Sequence, residues 1–249
     1  MSLAAKLLLS PVLVAQALAT RSRLPRLPEP SGERSGVAGR GPVLRLLVLG
    51  DSSAVGVGVA DQAQALVGHL VPALARDAKV AVHWQLVARS GVTSAGCLAL
   101  LDDPALAPLR ADVAVVSLGV NDVVEQVPSR RAVDARAAIA NRLRNAHGVA
   151  HVVFTPLPPV HRFPGLPQPL RWIAGRDARR HDDAVARWAA TRSDISHVPI
   201  DLPLSVGVMA ADGFHPGEPV YHVCGVALAE YIAQHVWPAL RPQSRVKRS

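Results

Sequence analysis

The sequence predicts an α/β fold, a three-layer α/β/α sandwich with a central parallel sheet of about five strands. The first observation is the run Leu44–Leu49, which is almost entirely branched and apolar. Such a run is typical of a strand that is buried on both faces, as in a parallel sheet. The second observation is that short apolar runs alternate with longer segments of helical periodicity. This alternation indicates helices on both faces of one sheet.

The predicted elements follow one another between residues 44 and 235. The strands are predicted at Leu44–Leu49, Val80–Val87, Val113–Leu118, His151–Phe154 and Val198–Ile200. The helices are predicted at Gln62–Ala75, Arg130–Asn145, Asp177–Thr191 and Val220–His235. The segment Thr155–Leu170 is rich in proline and glycine and has little periodicity. We expect it to form a long loop at the end of a strand and to wall a pocket there.

Composition limits the classes of function. The chain has 249 residues, of which 49% are hydrophobic and 18% charged, so it can bury one sizeable core. Its formal charge of +8 comes almost entirely from scattered arginines, and only 4% of its residues are aromatic. A nucleic-acid interface with stacking side chains is therefore not expected. Cys97 and Cys224 lie far apart in apolar contexts, so we expect small buried hydrophobic residues rather than a disulfide or a metal site.

The two ends of the chain differ from its centre. We predict an apolar and basic N-terminal arm with a linker at 1–42, a single domain at 43–240 and a basic tail at 241–249. The apolar run within residues 1–20 is shorter than the roughly 20 apolar residues that a membrane-spanning helix needs. Ala17-Leu18-Ala19 resembles a signal-peptidase site, whereas Arg21, Arg23 and Arg26 follow it at once and oppose export.

These flanking charges favour peripheral contact with a membrane through residues 1–26. The expected location is accordingly cytoplasmic or membrane-associated. Export through an N-terminal signal peptide is the alternative.

The first predicted strand ends at Gly50-Asp51-Ser52, and ligands of open α/β sheets bind just beyond strand ends. A dinucleotide-binding loop would need a third glycine after Gly56 and Gly58, and a P-loop would need a lysine that this stretch lacks. A nucleophilic serine on a strand-to-helix turn is the third interpretation. It differs from the G-x-S-x-G turn, because Ala54 occupies the last glycine position. A plain Asp/Ser helix cap is the structural alternative.

Three further blocks follow Gly50-Asp51-Ser52 along the chain. They are Ser90-Gly91, Gly119-Val120-Asn121-Asp122 and Asp212-Gly213-Phe214-His215. In this order the four blocks resemble those of the SGNH (GDSL) hydrolase family, over Leu44 to Trp237. The resemblance implies a flavodoxin-like sandwich and a serine esterase or lipase that cleaves carboxylic esters through an acyl-enzyme. Ser53 replaces the leucine of Gly-Asp-Ser-Leu, a position at which relatives vary.

The resemblance also implies roles for individual residues. Ser52 would be the nucleophile and His215 the general base, which a serine hydroxyl needs before it can attack. Asp212 precedes His215 by three residues and would hold the Nδ1–H of the ring. The oxyanion hole would consist of the Ser52 and Gly91 backbone N–H groups and the Asn121 side-chain amide. A turn glycine and an Asx-turn are the structural alternatives for the last two.

Neither an organic cofactor nor a metal ion is expected for this chemistry. Asp51 and Asp122 are interpreted as hydrogen-bonding supports of their loops. His151, His161 and His181 lack the spacing of metal ligands, and we expect solvated surface histidines.

The substrate class is predicted from the apolar stretch Ala54–Val59, which suits an acyl chain better than a sugar. A small ester or lipid substrate, with lysophospholipase-like or arylesterase-like activity, is the resulting expectation. A carbohydrate acetylesterase on the same fold is one alternative, and a non-catalytic lipid-binding module is another. A nucleotide-binding protein that uses Gly50–Gly58 is a third.

Overall fold

A six-stranded sheet forms the centre of the computed structural model, which describes residues 3–103, 109–202, 204–205 and 207–240. The strands are β1 (Ser35–Ala38), β2 (Val43–Gly50), β3 (Ala81–Ala88), β4 (Val113–Ser117), β5 (His151–Phe154) and β6 (Ile195–His197). Their order is β1-β3-β2-β4-β5-β6. The last five are parallel, and β1 pairs antiparallel with β3 at one edge. The predicted α/β class and parallel sheet are confirmed.

Nine α-helices accompany the sheet in the described part of the chain. They are α1 (Leu3–Arg23), α2 (Ser52–Val55), α3 (Leu66–Ala78), α4 (Ser94–Leu100), α5 (Val120–Val124), α6 (Ser129–His147), α7 (Leu170–Ala189), α8 (Glu218–Tyr231) and α9 (Trp237–Leu240). A π-helical turn, Ile232–Val236, joins the last two. None of the helices in the described ranges combines the length and the apolar character that a bilayer-crossing helix requires.

Strand β2 is buried on both faces. Leu44, Leu46 and Val48 pack with residues of α3 and α8, whereas Leu47 and Leu49 pack with residues of α4, α6 and α7. Successive side chains of a strand point to opposite faces, so a strand between two helical layers needs apolar residues at every position. The apolar run, which only the exposed Arg45 near its start interrupts, thus results from the three-layer packing.

The topology opens a crevice at the carboxyl end of β2. From β2 the chain passes to β3 on one side, and β4 then lies on the other side of β2. Connections that diverge from one strand in this way leave space at its carboxyl end, where ligands of open α/β sheets bind. Ser52 immediately follows β2 and therefore lies at this crevice.

Several predicted boundaries are wrong. The last strand is Ile195–His197 rather than Val198–Ile200, because Ile195 is the residue that pairs with Val152 in the ladder. Helix α7 begins at Leu170 and not at Asp177. Helices α2, α4 and α5 were not predicted, since each is too short to show helical periodicity.

The N-terminal arm is more structured than its composition predicts. The linker interpretation is wrong for β1, which pairs with residues 82–85 of β3. Edge strands tolerate glycine and proline nearby, so composition alone conceals them. Helix α1 also contacts the domain, since the Gln16 amide donates to the carbonyl of Gln168 (2.6 Å) and accepts from the Leu170 N–H (3.1 Å). The predicted basic tail at 241–249 lies outside the described residues.

Candidate active site

Ser52 lies at the junction between β2 and α2. The Asp51 carboxylate caps α2 by accepting a hydrogen bond from the Ser53 N–H at 2.9 Å. Gly50 allows the junction to lie against β4, because a Cβ at this position would be 2.1 Å from the Ser117 carbonyl oxygen. The sharp turn after the strand therefore rests on a close backbone approach and a buried cap, and it directs Ser52 into the crevice.

A hydrogen-bonded relay connects Ser52 with a histidine and an aspartate. His215 Nε2 lies 3.1 Å from Ser52 Oγ, although the two residues are 163 positions apart in sequence. On the other side of the ring, His215 Nδ1 lies 2.6 Å from Asp212 Oδ2. This order of groups lets the imidazole take a proton from the hydroxyl while the carboxylate holds the ring and its tautomer.

Asp212 also shapes the turn that carries His215. Its Oδ1 accepts hydrogen bonds from the N–H groups of Phe214 and His215, each at 2.9 Å. Burial raises the pKa of Asp212, but the hydrogen bonds from the His215 ring and from these backbone groups outweigh burial and leave the pKa below its usual value. Asp212 is therefore ionised at neutral pH and can stabilise an imidazolium.

The three groups expected to bind an oxyanion converge on the same crevice. Gly91 follows β3 with a φ of 81°, and Asn121 lies in the first turn of α5 after β4. Both line one cavity with Ser52. The Asn121 amide donates to the Val92 carbonyl (3.0 Å) and to Asp51 (3.3 Å). Within the described residues the N–H groups of Ser52 and Gly91 have no acceptor and are free to donate.

The loops that carry these groups rest on a buried polar network. Asp122 accepts hydrogen bonds from the Ser94 N–H (2.9 Å) and hydroxyl (2.5 Å). The Arg136 guanidinium lies 3.4 Å from Asp122 and donates to the Leu118 carbonyl at 3.0 Å. Arg136 and Asp122 are each 1% exposed. The prediction that Asp51 and Asp122 support their loops is confirmed.

Arg136 is a functional support that the sequence analysis missed. It lies on the face of α6 that also carries the buried residues Ala132, Ile139, Ala140 and Leu143. A charged side chain on an otherwise apolar helix face is the signal that could have identified it. Burial lowers the pKa of Arg136, whereas Asp122 and Asp51 counter the shift. Burial also raises the pKa of Asp51 to about 6.

A cavity of about 550 Å³ opens above Ser52 and His215. Much of its wall is apolar and includes Phe163, Leu204, Met209, Phe214 and Val220. The segment predicted as a pocket wall, Thr155–Leu170, contributes Thr155, Pro156, Pro158 and Phe163, which confirms that prediction. The N-terminal arm adds Arg21, Leu24, Pro25, Arg26 and Leu27, which the sequence did not reveal.

Most of the apolar stretch Ala54–Val59 does not line the cavity, although the sequence predicted that it would contact an acyl chain. Val57 lines the cavity, but Ala54 and Val55 are fully buried beneath it. The acyl-chain interpretation of this stretch is therefore wrong for most of it. Helix α2 turns these side chains into the core, and the apolar wall comes from other loops.

The remaining candidate residues differ in burial: His181 and Cys97 are buried, His151 and Cys224 are partly buried, and His161 is exposed. His181 is 4% exposed, so the surface interpretation is wrong for this histidine, and burial lowers its pKa. The described residues contain no group of three or more side chains that could hold a metal ion. Cys97 and Cys224 are free thiols, as expected, and burial raises the pKa of each to about 12. Cys224 also lines the cavity.

A serine, a histidine and a carboxylate in series beneath an apolar cavity define a class of enzyme, the serine hydrolases. Comparison with known proteins identifies the family within this class. The model of the GDSL-like lipase/acylhydrolase family matches residues 48–223, most of the chain. The protein belongs to this family, and it is a serine esterase or lipase of the SGNH type.

Individual relatives agree with this assignment. The chain is 28% identical over 229 residues to the GDSL-like esterase Rv1075c of Mycobacterium tuberculosis, and the match covers 84% of this chain and 72% of that protein. The crystal structure of TesA matches with a TM-score of 0.56 and 27% identity, covering 80% of this chain and 98% of TesA. The lipase Lip_vut3 from a goat rumen metagenome has the same fold, with a TM-score of 0.64, 19% identity and coverage of 76% and 98%.

Proposed function

We propose that this protein hydrolyses carboxylic esters with an apolar acyl or aryl portion, through an acyl-enzyme on Ser52. The observation that supports the proposal best is the Ser52–His215–Asp212 relay, with 3.1 Å and 2.6 Å between its polar atoms. The relay lies at a cavity whose apolar wall can accept a hydrocarbon group. The activity is lysophospholipase-like or arylesterase-like.

Acylation begins when Ser52 Oγ attacks the ester carbonyl. His215 Nε2 takes the hydroxyl proton, and the ionised Asp212 stabilises the resulting imidazolium through Nδ1. His215 then donates this proton to the departing alcohol oxygen. Water replaces the alcohol, gives a proton to His215 and attacks the acyl-enzyme. His215 then returns this proton to Ser52 Oγ as the bond between Oγ and the acyl carbon breaks, which releases the carboxylic acid and restores Ser52.

The tetrahedral intermediates need hydrogen-bond donors, each worth about 3–4 kcal/mol in related enzymes. The unpaired N–H groups of Ser52 and Gly91 supply two of them. The Asn121 amide supplies the third by turning one hydrogen from Asp51 to the oxyanion. Its bond to Asp51 is the longer of its two, at 3.3 Å against 3.0 Å to Val92, and so the easier to exchange.

The proposal is tested with p-nitrophenyl esters of increasing acyl length and with a fluorophosphonate probe. Wild-type protein should hydrolyse the esters and be labelled covalently. Ser52→Ala should lose both properties, whereas Ser53→Ala keeps the relay and should still be labelled. Acetylated xylan serves as the substrate for the carbohydrate acetylesterase alternative. An unlabelled wild-type protein without turnover on any of these esters would leave ligand binding without catalysis as the better account.

We also propose that α1 contacts the surface of an anionic membrane. Val12, Val14 and Leu18 are exposed on this helix, and Arg21 and Arg23 lie in its last turn. Exposed apolar side chains next to basic ones favour an interfacial position on anionic lipid. A larger fraction of the wild type should therefore sediment with vesicles that contain phosphatidylglycerol than with vesicles of phosphatidylcholine alone. With the phosphatidylglycerol vesicles, a smaller fraction of Leu18→Glu than of the wild type should sediment. Equal sedimentation in all three cases would contradict the contact.

A further inference from the structure

The N-terminal arm contributes two arginines to the lining of the catalytic cavity. Arg21, near the end of α1, and Arg26, in the segment that follows, line the cavity together with Ser52 and His215. Both residues precede residue 48, where the match to the family begins. The charge that they add is thus a property of this chain rather than of the matched family region.

The charge of these two arginines is not balanced within the cavity. Among the described residues that line it, Asp212 is the only carboxylate, and its oxygens are engaged by His215 and Phe214. Neither Arg21 nor Arg26 forms an ion pair within the described part of the chain. Both arginines are exposed where they line the cavity, and two unpaired cations beside one opening attract an anionic ligand.

The position of the arm is fixed by direct contacts. Gln16 of α1 donates to the Gln168 carbonyl and accepts from the Leu170 N–H, and both partners belong to the end of the loop that walls the cavity. Arg21 lies little more than one helical turn further along α1. The hydrogen bonds of Gln16 therefore hold the Arg21 end of the helix at the cavity.

We propose that Arg21 and Arg26 select esters that carry a second, anionic group, a carboxylate or a phosphate, in addition to the ester that is cleaved. This inference rests on the proposed ester hydrolysis and specifies its substrate. The two arginines are specificity-determining residues. They bind the anionic group while the apolar wall accepts the hydrocarbon portion.

The test compares two matched pairs of substrates. The soluble pair is p-nitrophenyl hydrogen glutarate and the neutral p-nitrophenyl pentanoate, which has the same chain length. The lipid pair is 1-oleoylglycerol 3-phosphate and monooleoylglycerol, each in micelles of a neutral detergent. The enzymes are wild type, Arg21→Gln/Arg26→Gln and the control Arg40→Gln, whose arginine is exposed on the same arm, lies outside α1 and does not line the cavity.

In at least one pair, the ratio of kcat/KM for the anionic to the neutral ester should fall about tenfold or more in the double variant, mainly through KM. The control should keep the wild-type ratio, and Gln16→Ala should lower it. A fall confined to the soluble pair identifies a small acid as the source of the anion, and a fall confined to the lipid pair identifies a phospholipid. An unchanged ratio in both pairs overturns the inference. Failure of wild type on all esters, without fluorophosphonate labelling, overturns the proposed function itself.

A second observation concerns the oxyanion loop and is independent of the arginines. Glu29, also in the arm, accepts hydrogen bonds from the Ser90 hydroxyl (2.7 Å) and N–H (3.4 Å). Arg34 pairs with Glu29 at 2.5 Å and donates to the Ala88 carbonyl at the end of β3 (3.2 Å). Burial raises the pKa of Glu29, but these hydrogen bonds from Ser90 and Arg34 outweigh it and lower the pKa overall.

From this geometry we infer that Glu29 is a positioning residue for the neighbouring Gly91 N–H. Apart from its chain neighbours, no atom lies within 4 Å of the position that a Cβ of Gly91 would occupy, so packing on that side does not restrain the loop. The bonds of Glu29 to Ser90 restrain the loop from the preceding residue. A donor displaced by an ångström loses much of its contribution to the transition state.

Glu29→Ala should lower kcat about tenfold with little change in KM, and it should raise the Ki of an alkylboronic acid, a tetrahedral analogue, by a similar factor. Glu29→Gln keeps the acceptor for Ser90 and should restore most of kcat. The control Glu33→Ala removes an exposed carboxylate of the same arm and should behave as wild type. Unchanged kcat and Ki in Glu29→Ala, or no recovery in Glu29→Gln, would overturn the assignment.

Discussion

Ser52 and His215, the proposed nucleophile and the proposed base, are held by different kinds of structure. Ser52 follows a strand that is buried on both faces and begins a helix capped by the buried Asp51. His215 lies between β6 and α8, in a segment whose described residues form neither a helix nor a strand. Its place depends on Asp212, which caps the turn and also bonds the ring.

This difference predicts which substitutions should lower stability and which should lower turnover. On the nucleophile side, the polar groups are buried among packed elements, so a change there should cost free energy of unfolding. On the base side, a few partly exposed hydrogen bonds direct one ring. A change there should reduce turnover far more than stability. The following predictions test this contrast.

Asp212→Asn should have the largest effect on catalysis. The asparagine oxygen can still accept from the Phe214 and His215 N–H groups, but its amide cannot hold Nδ1–H, so kcat should fall about 10⁴-fold. The free energy of unfolding should change by less than about 1 kcal/mol. Ester kinetics and urea unfolding check both parts. A variant that keeps a tenth of wild-type kcat would show that Asp212 does not orient the base.

Arg136→Met should have the largest effect on stability. It leaves the buried Asp122 without its cation, which typically costs about 3–5 kcal/mol. Arg142→Met on the same helix is the control, because Arg142 pairs with Asp102 at the surface and should cost less than about 1 kcal/mol. Urea unfolding measures both variants. Equal stabilities would contradict the contrast between the two sides of the site.

Asp51→Asn should make stability less dependent on pH. Burial raises the pKa of Asp51 to about 6 in the folded protein, above its ordinary value of 3.8. Between these values the unfolded chain has already lost the proton that the folded protein retains, so the contribution of Asp51 to stability falls as pH rises from about 4 to 6. As the pH rises from 4 to 7, the free energy of unfolding of the variant should therefore rise by about 2–3 kcal/mol relative to that of the wild type.

Urea unfolding of both proteins at pH 4.5 and pH 7.5 gives the comparison. A difference between variant and wild type that stays constant with pH would mean that Asp51 does not titrate in this window.

Tyr221→Phe should have the smallest effect, and it tests the link between the two sides. The Tyr221 hydroxyl, on the helix that follows His215, donates to the Val57 carbonyl beyond Ser52 at 2.7 Å. Its loss leaves a buried carbonyl unpaired and should cost about 1–2 kcal/mol of unfolding free energy. Tyr231→Phe, which loses a less buried bond to Ser196, should cost less. Thermal unfolding at one pH ranks the two, and the reverse order would contradict the link.

The sequence by itself determined the elements whose information is local. The apolar run before Gly50 defines β2, the alternation of strands and helices defines the class of fold, and four short blocks identify the family and its candidate site residues. Such features follow from backbone preference and from burial on one or two faces, which neighbouring residues encode.

The resemblance predicted that Ser52 and His215 act together, but only the tertiary structure decided the distance between them and which other distant residues meet. It places Ser52 and His215 3.1 Å apart, pairs β1 with β3 and puts Arg136 beneath the Asn121 loop. It also brings Arg21 of the N-terminal arm, and Arg26 and Glu29 of the predicted linker, to the cavity and to the loop that carries Ser90 and Gly91. These contacts arise from the packing of elements far apart in the chain, and no local pattern of residues encodes them.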